Sequence, residues 1–235
     1  MTTKMRVDLW TDIICPWCGL GSHQLEQAIT KFGKDVELVH HSFQLDETSP
    51  VGVSEPVALM LEKKKGIPAA QVKQMTARVE QLAEKQGLWP YIVGDNRAGN
   101  TSMAHELAAW ATEQGKGDAM WKALYKVYFG QARSIFDVES LVTLAQEQGL
   151  DGSKAREVLT SRKYAQQVLE DGRVAQRMGV SGVPFVVIDN KYGVSGAQPV
   201  EVFVEALTQA WNEREPSAEF PSNAVCGPDG CELPS

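Results

Sequence analysis

Two cysteines two residues apart, in Cys15-Pro16-Trp17-Cys18, are the part of this sequence best suited to chemistry. A β-prone run containing Val7, Leu9, Trp10, Ile13 and Ile14 leads into them. Leu20, Leu25, Ala28, Ile29 and Phe32 then recur at helix-like intervals. Proline suits the first turn of a helix, because its missing N–H would be unpaired there anyway. The pattern therefore predicts that Cys15 stands at a strand-to-helix junction, where unpaired N–H groups and the helix dipole favour a thiolate. Cys18 falls one turn further on, on the same helix face. The first sulfur can attack a disulfide, and the second can resolve the resulting mixed disulfide. Half of a structural zinc site uses the same spacing, but such pairs sit in knuckle turns, and the junction favours the redox reading.

A second pair, Cys226 and Cys231, flanks Gly-Pro-Asp-Gly, which favours a turn. A turn brings such flanking residues within the roughly 4.4–6.8 Å between Cα atoms that a disulfide needs. Fully extended, the stretch from Arg214 to Cys226 spans about 40 Å, against a radius of gyration of about 17–18 Å for a chain of this length. The tail can thus reach Cys15. A redox shuttle, a static disulfide or idle tail, and a metal site sharing the four cysteines all remain open for it.

The elements that must position the first pair follow from patterning. A strand over about Met5–Thr11 carries Asp8 within an apolar run. Asp8 is either a surface position or a carboxylate beneath the cysteines, its pKa raised by desolvation, relaying protons to Cys18. A helix over Pro16–Lys31 stops at Gly33, and a strand over Val36–Phe43 follows, with His40 and His41 on opposite faces. From Leu45 to Tyr164 strand signals nearly vanish. Helices are expected there over Glu55–Lys65, Ala69–Gln86, Ser102–Gln114, Met120–Phe129, Val138–Gln148 and Ser153–Ser161, separated by Gly- and Pro-containing breaks. A helix from about Tyr164 to Met178 precedes Gly182-Val183-Pro184-Phe185. Pro184 should open its strand, since it cannot donate within a ladder. A hairpin through Asp189-Asn190-Lys191 and a helix over Pro199–Asn212 complete the pattern. The expected organisation is one discontinuous domain from residues 1–45 and 165–214, an inserted helical domain over 46–164, and a tail over 215–235.

Bulk properties narrow the function. A net charge of −7 and a pI near 5.2 argue against nucleic acid as the main partner. No run of about 18 apolar residues is present to span a membrane, and no apolar signal segment precedes the first strand, so a cytoplasmic setting is expected. Four cysteines in a cytosolic chain of this size point to catalysis, redox sensing or metal binding rather than a disulfide scaffold. No nucleotide-binding glycine pattern and no ligand-like histidine cluster appears, so no bound cofactor or resident metal is implied.

Strand, helix, strand, helical insertion, helix, hairpin and helix is the element order of a thioredoxin-like α/β fold with an inserted helical domain. Cys15-Pro16-Trp17-Cys18 with Gly182-Val183-Pro184-Phe185 resembles the DsbA superfamily. Val7-Asp8-Leu9-Trp10-Thr11-Asp12, Asn100-Thr101-Ser102-Met103-Ala104-His105 and Ser195-Gly196-Ala197-Gln198 resemble its FrnE-like branch. The resemblance extends to about Trp211. It implies thiol–disulfide exchange on protein substrates, as oxidase, reductase or isomerase, with a cis Val183–Pro184 bond facing the cysteines. A cis proline would leave the backbone edge at Val183 open to an extended substrate peptide. A small thiol or a thioredoxin-type protein is the expected electron partner. Trp17 is a departure: the best-known oxidant of the superfamily has histidine there, whose charge Trp17 does not supply. Two alternatives come from other classes. A glutathione-dependent isomerase or transferase of the same fold usually has serine where Cys15 stands, and would have no use for Cys18. A thiol-based metal sequestrant would bind zinc or cadmium stoichiometrically.

Overall fold

A computed structural model gives the fold; it describes residues 4–214 together with strand positions 226–227 and 230–231. Alternation along β1 (Met5–Thr11) sets the layering. Val7 and Leu9 point to one face and Asp8 and Trp10 to the other, as the period of two requires. β1 pairs in parallel with β2 (Val36–Ser42) and antiparallel with β5 (Phe185–Ile188), which pairs antiparallel with β6 (Tyr192–Ser195). The sheet order is β2-β1-β5-β6. A parallel neighbour needs a crossover, supplied by α1 (Pro16–Phe32). Gly33, at φ 69°, ends this helix and donates its N–H to Ile29 O at 3.2 Å. Asp189 and Asn190, at φ 50° and 55°, form the expected tight turn between β5 and β6.

One face of the sheet is covered by α1 and α9 (Val200–Asn212), with Val7, Leu9, Leu25, Ala28, Ile188, Phe203 and Leu207 buried between. On the other face, α8 (Ala165–Arg177) packs through Ala175 against Trp10 and Phe43. Between β2 and α8 come α2 (Val57–Lys65), α3 (Ala69–Lys85), α4 (Ser102–Glu113), α5 (Gly117–Gln131), α6 (Val138–Glu147) and α7 (Gly152–Ser161). The apolar faces of α3 to α7 converge on Leu107, Trp121, Leu124, Tyr128, Leu141 and Leu159. Ile13 and Leu20, which bracket the cysteines, belong to the same buried cluster. The cysteine segment is thus wedged between the two cores. This is the thioredoxin-like α/β arrangement expected, and the helix bounds agree to within a few residues.

One local expectation differs. A short ribbon of β3 (Ser54–Pro56) and β4 (Arg97–Gly99) joins positions far apart in sequence, too short for alternation to register. At the start of α4, Asn100 Oδ1 accepts from Ser102 N at 2.9 Å. Among the described residues, no helix is long and apolar enough to cross a membrane.

Candidate active site

Cys15 occupies the N-cap of α1 in extended backbone, φ −78° and ψ 115°, with Pro16 in the first turn. Its carbonyl accepts from Cys18 N at 2.9 Å and Gly19 N at 3.3 Å, so it closes the first turn. The thiol therefore stands where the helix presents unpaired N–H groups, the location the spacing predicts. Cys15 is 5% exposed and Cys18 fully buried, whereas Trp17 between them is 43% exposed. Both cysteines are free thiols. The Cys15 thiol donates to Val183 O at 3.7 Å, and the Val183–Pro184 bond is cis. A second cis bond, Trp89–Pro90, has no counterpart in the sequence reading.

Two glycines after the cysteines let other chain segments approach α1. A Cβ on Gly21 would come within 2.8 Å of Pro184 Cγ, and one on Gly19 within 2.3 Å of the Tyr91 hydroxyl. Tyr91 uses that approach to donate to Pro16 O at 2.6 Å. Gly19 and Gly21 thus allow the Tyr91 loop and the Pro184 loop to reach the reactive turn.

Burial pushes the Cys18 thiol well above its ordinary pKa. The hydrogen bond and charge of Cys15 push the same way, and a backbone hydrogen bond at Asp12 opposes them. Asp12 itself is fully buried. Its Oδ2 accepts from Leu45 N at 2.7 Å, and its Oδ1 faces His105 Nε2 at 3.2 Å. Sequence reasoning gave neither residue a role. The signal was present, because two of the segments that carried the family resemblance end on Asp12 and His105, and these ends meet in space.

Asp8 occupies neither of the two places left open for it: it is buried, 4% exposed, but not beneath the cysteines. It lies on the α8 face of β1, opposite the face that α1 covers, so strand parity keeps it from the cysteines. Arg6 Nε donates to it at 2.9 Å and His41 Nε2 at 2.6 Å. Burial raises its pKa, but the hydrogen bonds of His41 and Arg6 outweigh that, and the net shift is downward rather than upward. His41 also stacks on Trp10 and donates to Asp171 at 3.4 Å. Burial opposes its charge, yet Asp171 and Asp8 raise its pKa to about 9. His40, on the other side of β2, stacks against Trp121. Its pKa falls to about 3 through burial first, then the nearby charges of His41 and Lys122.

A cleft of about 1110 Å³ opens beside Cys15 and Trp17; Met60 and Met75 contribute to its wall, with Lys65 and Arg78 also lining it. Among the described residues, no cluster of three or more His, Cys, Asp or Glu side chains is arranged to hold a metal. In the tail, backbone pairing of β7 (Cys226–Gly227) with β8 (Gly230–Cys231) sets Cys226 opposite Cys231. The side chains of that pair lie outside the described residues.

Comparison with known proteins adds the following. Residues 6–208 match the family described as the DSBA-like thioredoxin domain. A probable DsbA oxidoreductase from Streptomyces coelicolor, SCO1869, is 43% identical. Its crystal structure superposes with a TM-score of 0.85 over 98% of this chain and 100% of that one. The uncharacterized protein YwbO of Bacillus subtilis is 28% identical over 211 residues, covering 88% of this chain and 97% of its own. The cytosolic disulfide reductase DsbM from Pseudomonas aeruginosa, 18% identical, shares the fold with a TM-score of 0.57 over 88% of this chain and 99% of its own.

Proposed function

We propose, from the premise that this chain belongs to the family of DSBA-like thioredoxin domains, that it exchanges thiols and disulfides on protein substrates through Cys15 and Cys18. The observation that carries this reading is the placing of Cys15 at the N-cap of α1, its thiol on Val183 O at 3.7 Å and Cys18 fully buried one turn behind. In the reducing direction, the Cys15 thiolate attacks a substrate disulfide and expels one substrate thiolate, leaving a mixed disulfide. Cys18 then loses its proton and attacks Cys15 Sγ, which releases the second substrate thiolate and closes the Cys15–Cys18 bond. The reverse sequence oxidises a substrate dithiol. Val183 and Pro184 flank the attacking sulfur, where an extended peptide can pair with the backbone edge.

The reading includes the tail. Opposed residues in an antiparallel pair have Cα atoms about 4.5–5.5 Å apart, within the range a disulfide uses. Cys226 and Cys231 therefore suit a relay that passes electrons between Cys15 and a small thiol or thioredoxin-type partner. The working compartment in this reading is the cytoplasm, where a protein of the same fold is described as a cytosolic disulfide reductase.

Insulin reduction and reoxidation of reduced ribonuclease test the reading. Cys15→Ser is expected to abolish both, and Cys18→Ser to accumulate mixed disulfides, including one between Cys15 and a tail cysteine under mild oxidant. Full activity in Cys15→Ser would sink the proposal; absence of the tail adduct would remove the relay alone.

A further inference from the structure

Resolution requires a fully buried thiol to give up a proton, and Cys18 has no solvent contact of its own. Three hydroxyls close to it, Thr11 Oγ1, Ser22 Oγ and Tyr125 Oη, have no hydrogen-bond partner outside their own group. Ser22 follows Cys18 by four residues on α1, so the two are neighbours on one helix face, about 5–6 Å apart at Cβ. Thr11 ends β1 and Tyr125 comes from α5, and both of their hydroxyls bear on the same spot, because Thr11 and Ser22 are the side chains that face Tyr125 Oη. Burying polar groups without full pairing is costly; three hydroxyls from three elements, with only one another to turn to, mark a place kept polar for a reason.

That place has an outlet. Ser22 and Tyr125 line a second cavity of about 430 Å³ along α1, which Gly19, His23 and Glu26 also line, whereas the Cys15 cleft is lined by Cys15, Pro16 and Trp17 at the start of that helix. The Tyr125 ring is partly exposed there while its hydroxyl is buried. The ring is held by stacking with Phe129 at 6.3 Å and by Trp121 at 6.2 Å. Glu26 and Lys122, which bridge at 3.1 Å, stand in the same cavity wall.

We propose that Thr11, Ser22 and Tyr125 form the proton exit of Cys18, carrying its thiol proton to solvent through the cavity along α1 while the sulfur attacks Cys15. The proposal rests on the exchange reading above and adds residues that position a proton rather than touch substrate. The bookkeeping closes. The Cys18 S–H bond breaks, the Cys18–Cys15 bond forms, the substrate–Cys15 bond breaks, the departing thiolate carries the electron pair, and the proton leaves by the hydroxyls. The titratable groups that bear on Cys18 are Cys15, Asp12, Tyr91 and Tyr125. Asp12 has both carboxylate oxygens engaged, by Leu45 N and His105. Tyr91 already donates to Pro16 O. Tyr125 is the remaining hydroxyl on the path.

An aromatic disulfide, dithiobis(nitrobenzoate), separates the two steps in the full-length chain carrying Cys226→Ser and Cys231→Ser. Attack by Cys15 releases one coloured thiolate, and attack by Cys18 releases the second. Tyr125→Phe keeps the ring in its stack and removes only the oxygen. It is expected to slow the second release by about a hundredfold at pH 7, the low end of what placed proton-transfer groups contribute, with the first release within about twofold of the parent. The deficit should close as rising pH lets hydroxide take the proton directly. Thr11→Val and Ser22→Ala should slow the same step, and Thr11→Ser should restore it. Parental second-release rates in Tyr125→Phe and Ser22→Ala would overturn the proton exit, and so would equal slowing of both releases. Failure of the parent chain to give any first release would instead overturn the exchange reading.

Discussion

The Asp12 carboxylate and the His105 imidazole meet at 3.2 Å with both side chains completely withdrawn from solvent. The contact ties the segment just ahead of Cys15 to α4. Removing one member of such a pair strands the other in a medium that cannot solvate it. His105→Ala is therefore expected to lower unfolding free energy by about 1–3 kcal/mol, read from the urea midpoint at neutral pH. A loss under about 1 kcal/mol would mean that the pair does not anchor this segment.

Gly21 and Gly172 make a matched test of what a methyl group does to a helix. At Gly21 the added Cβ meets Pro184 Cγ at 2.8 Å, so Gly21→Ala should destabilise by about 1–3 kcal/mol through overpacking. It should also slow Cys15 alkylation or exchange by displacing the Val183 carbonyl. At Gly172, inside α8, the new carbon meets nothing within 4 Å, and Gly172→Ala should stabilise by about 0.5–1 kcal/mol. Equal effects at the two sites would refute the packing argument.

The His41 cluster predicts a stability change on the alkaline side. Its folded pKa, about 9, exceeds the ordinary imidazole value because Asp171 and Asp8 outweigh burial. A raised pKa contributes stability that is fully present below the unfolded value, near 6.5, and is lost as pH climbs through 9. Unfolding free energy should fall by about 2–4 kcal/mol between pH 6 and 10, and His41→Asn should flatten that slope. Asp8, whose pKa is lowered, acts oppositely. Its contribution is present above the ordinary carboxylate range and is lost on acidification.

Thiol reactivity should be sharply unequal. Burial, then the neighbouring Cys15, holds Cys18 in its thiol form. With the tail cysteines replaced by serine, iodoacetamide at pH 8 should modify Cys15 and leave Cys18 until the chain is unfolded; mass mapping of the peptides reads the outcome. Modification of Cys18 at a comparable rate would refute its burial.

Sequence patterning revealed the strand–helix junction, the helix bounds and the place of Pro184 because each has a strong local cause: proline at a first turn, period-3.6 apolar stripes, glycine stops. It left Asp8 between two readings because adjacent strand residues face opposite ways, and a single position decides whether a carboxylate lies under α1 or under α8. It passed over Asp12, His105 and Tyr125 because their partners are tens of residues distant, and no local rule ties a polar residue at a strand end to one in a remote helix. Nothing local marks Gly19 and Gly21 as contact points, because Tyr91 and Pro184, which pack against them, lie far along the chain.

The sheet is one residue layer thick between α1 and α8, and that thinness partitions the molecule. The sulfur pair occupies one side, and the Arg6–Asp8–His41–Asp171 charge cluster the other, with no side-chain hydrogen bond between the two groups among the described residues. Substitutions on the two sides should combine additively, so robustness to alkali and sulfur chemistry can be engineered as separate dials.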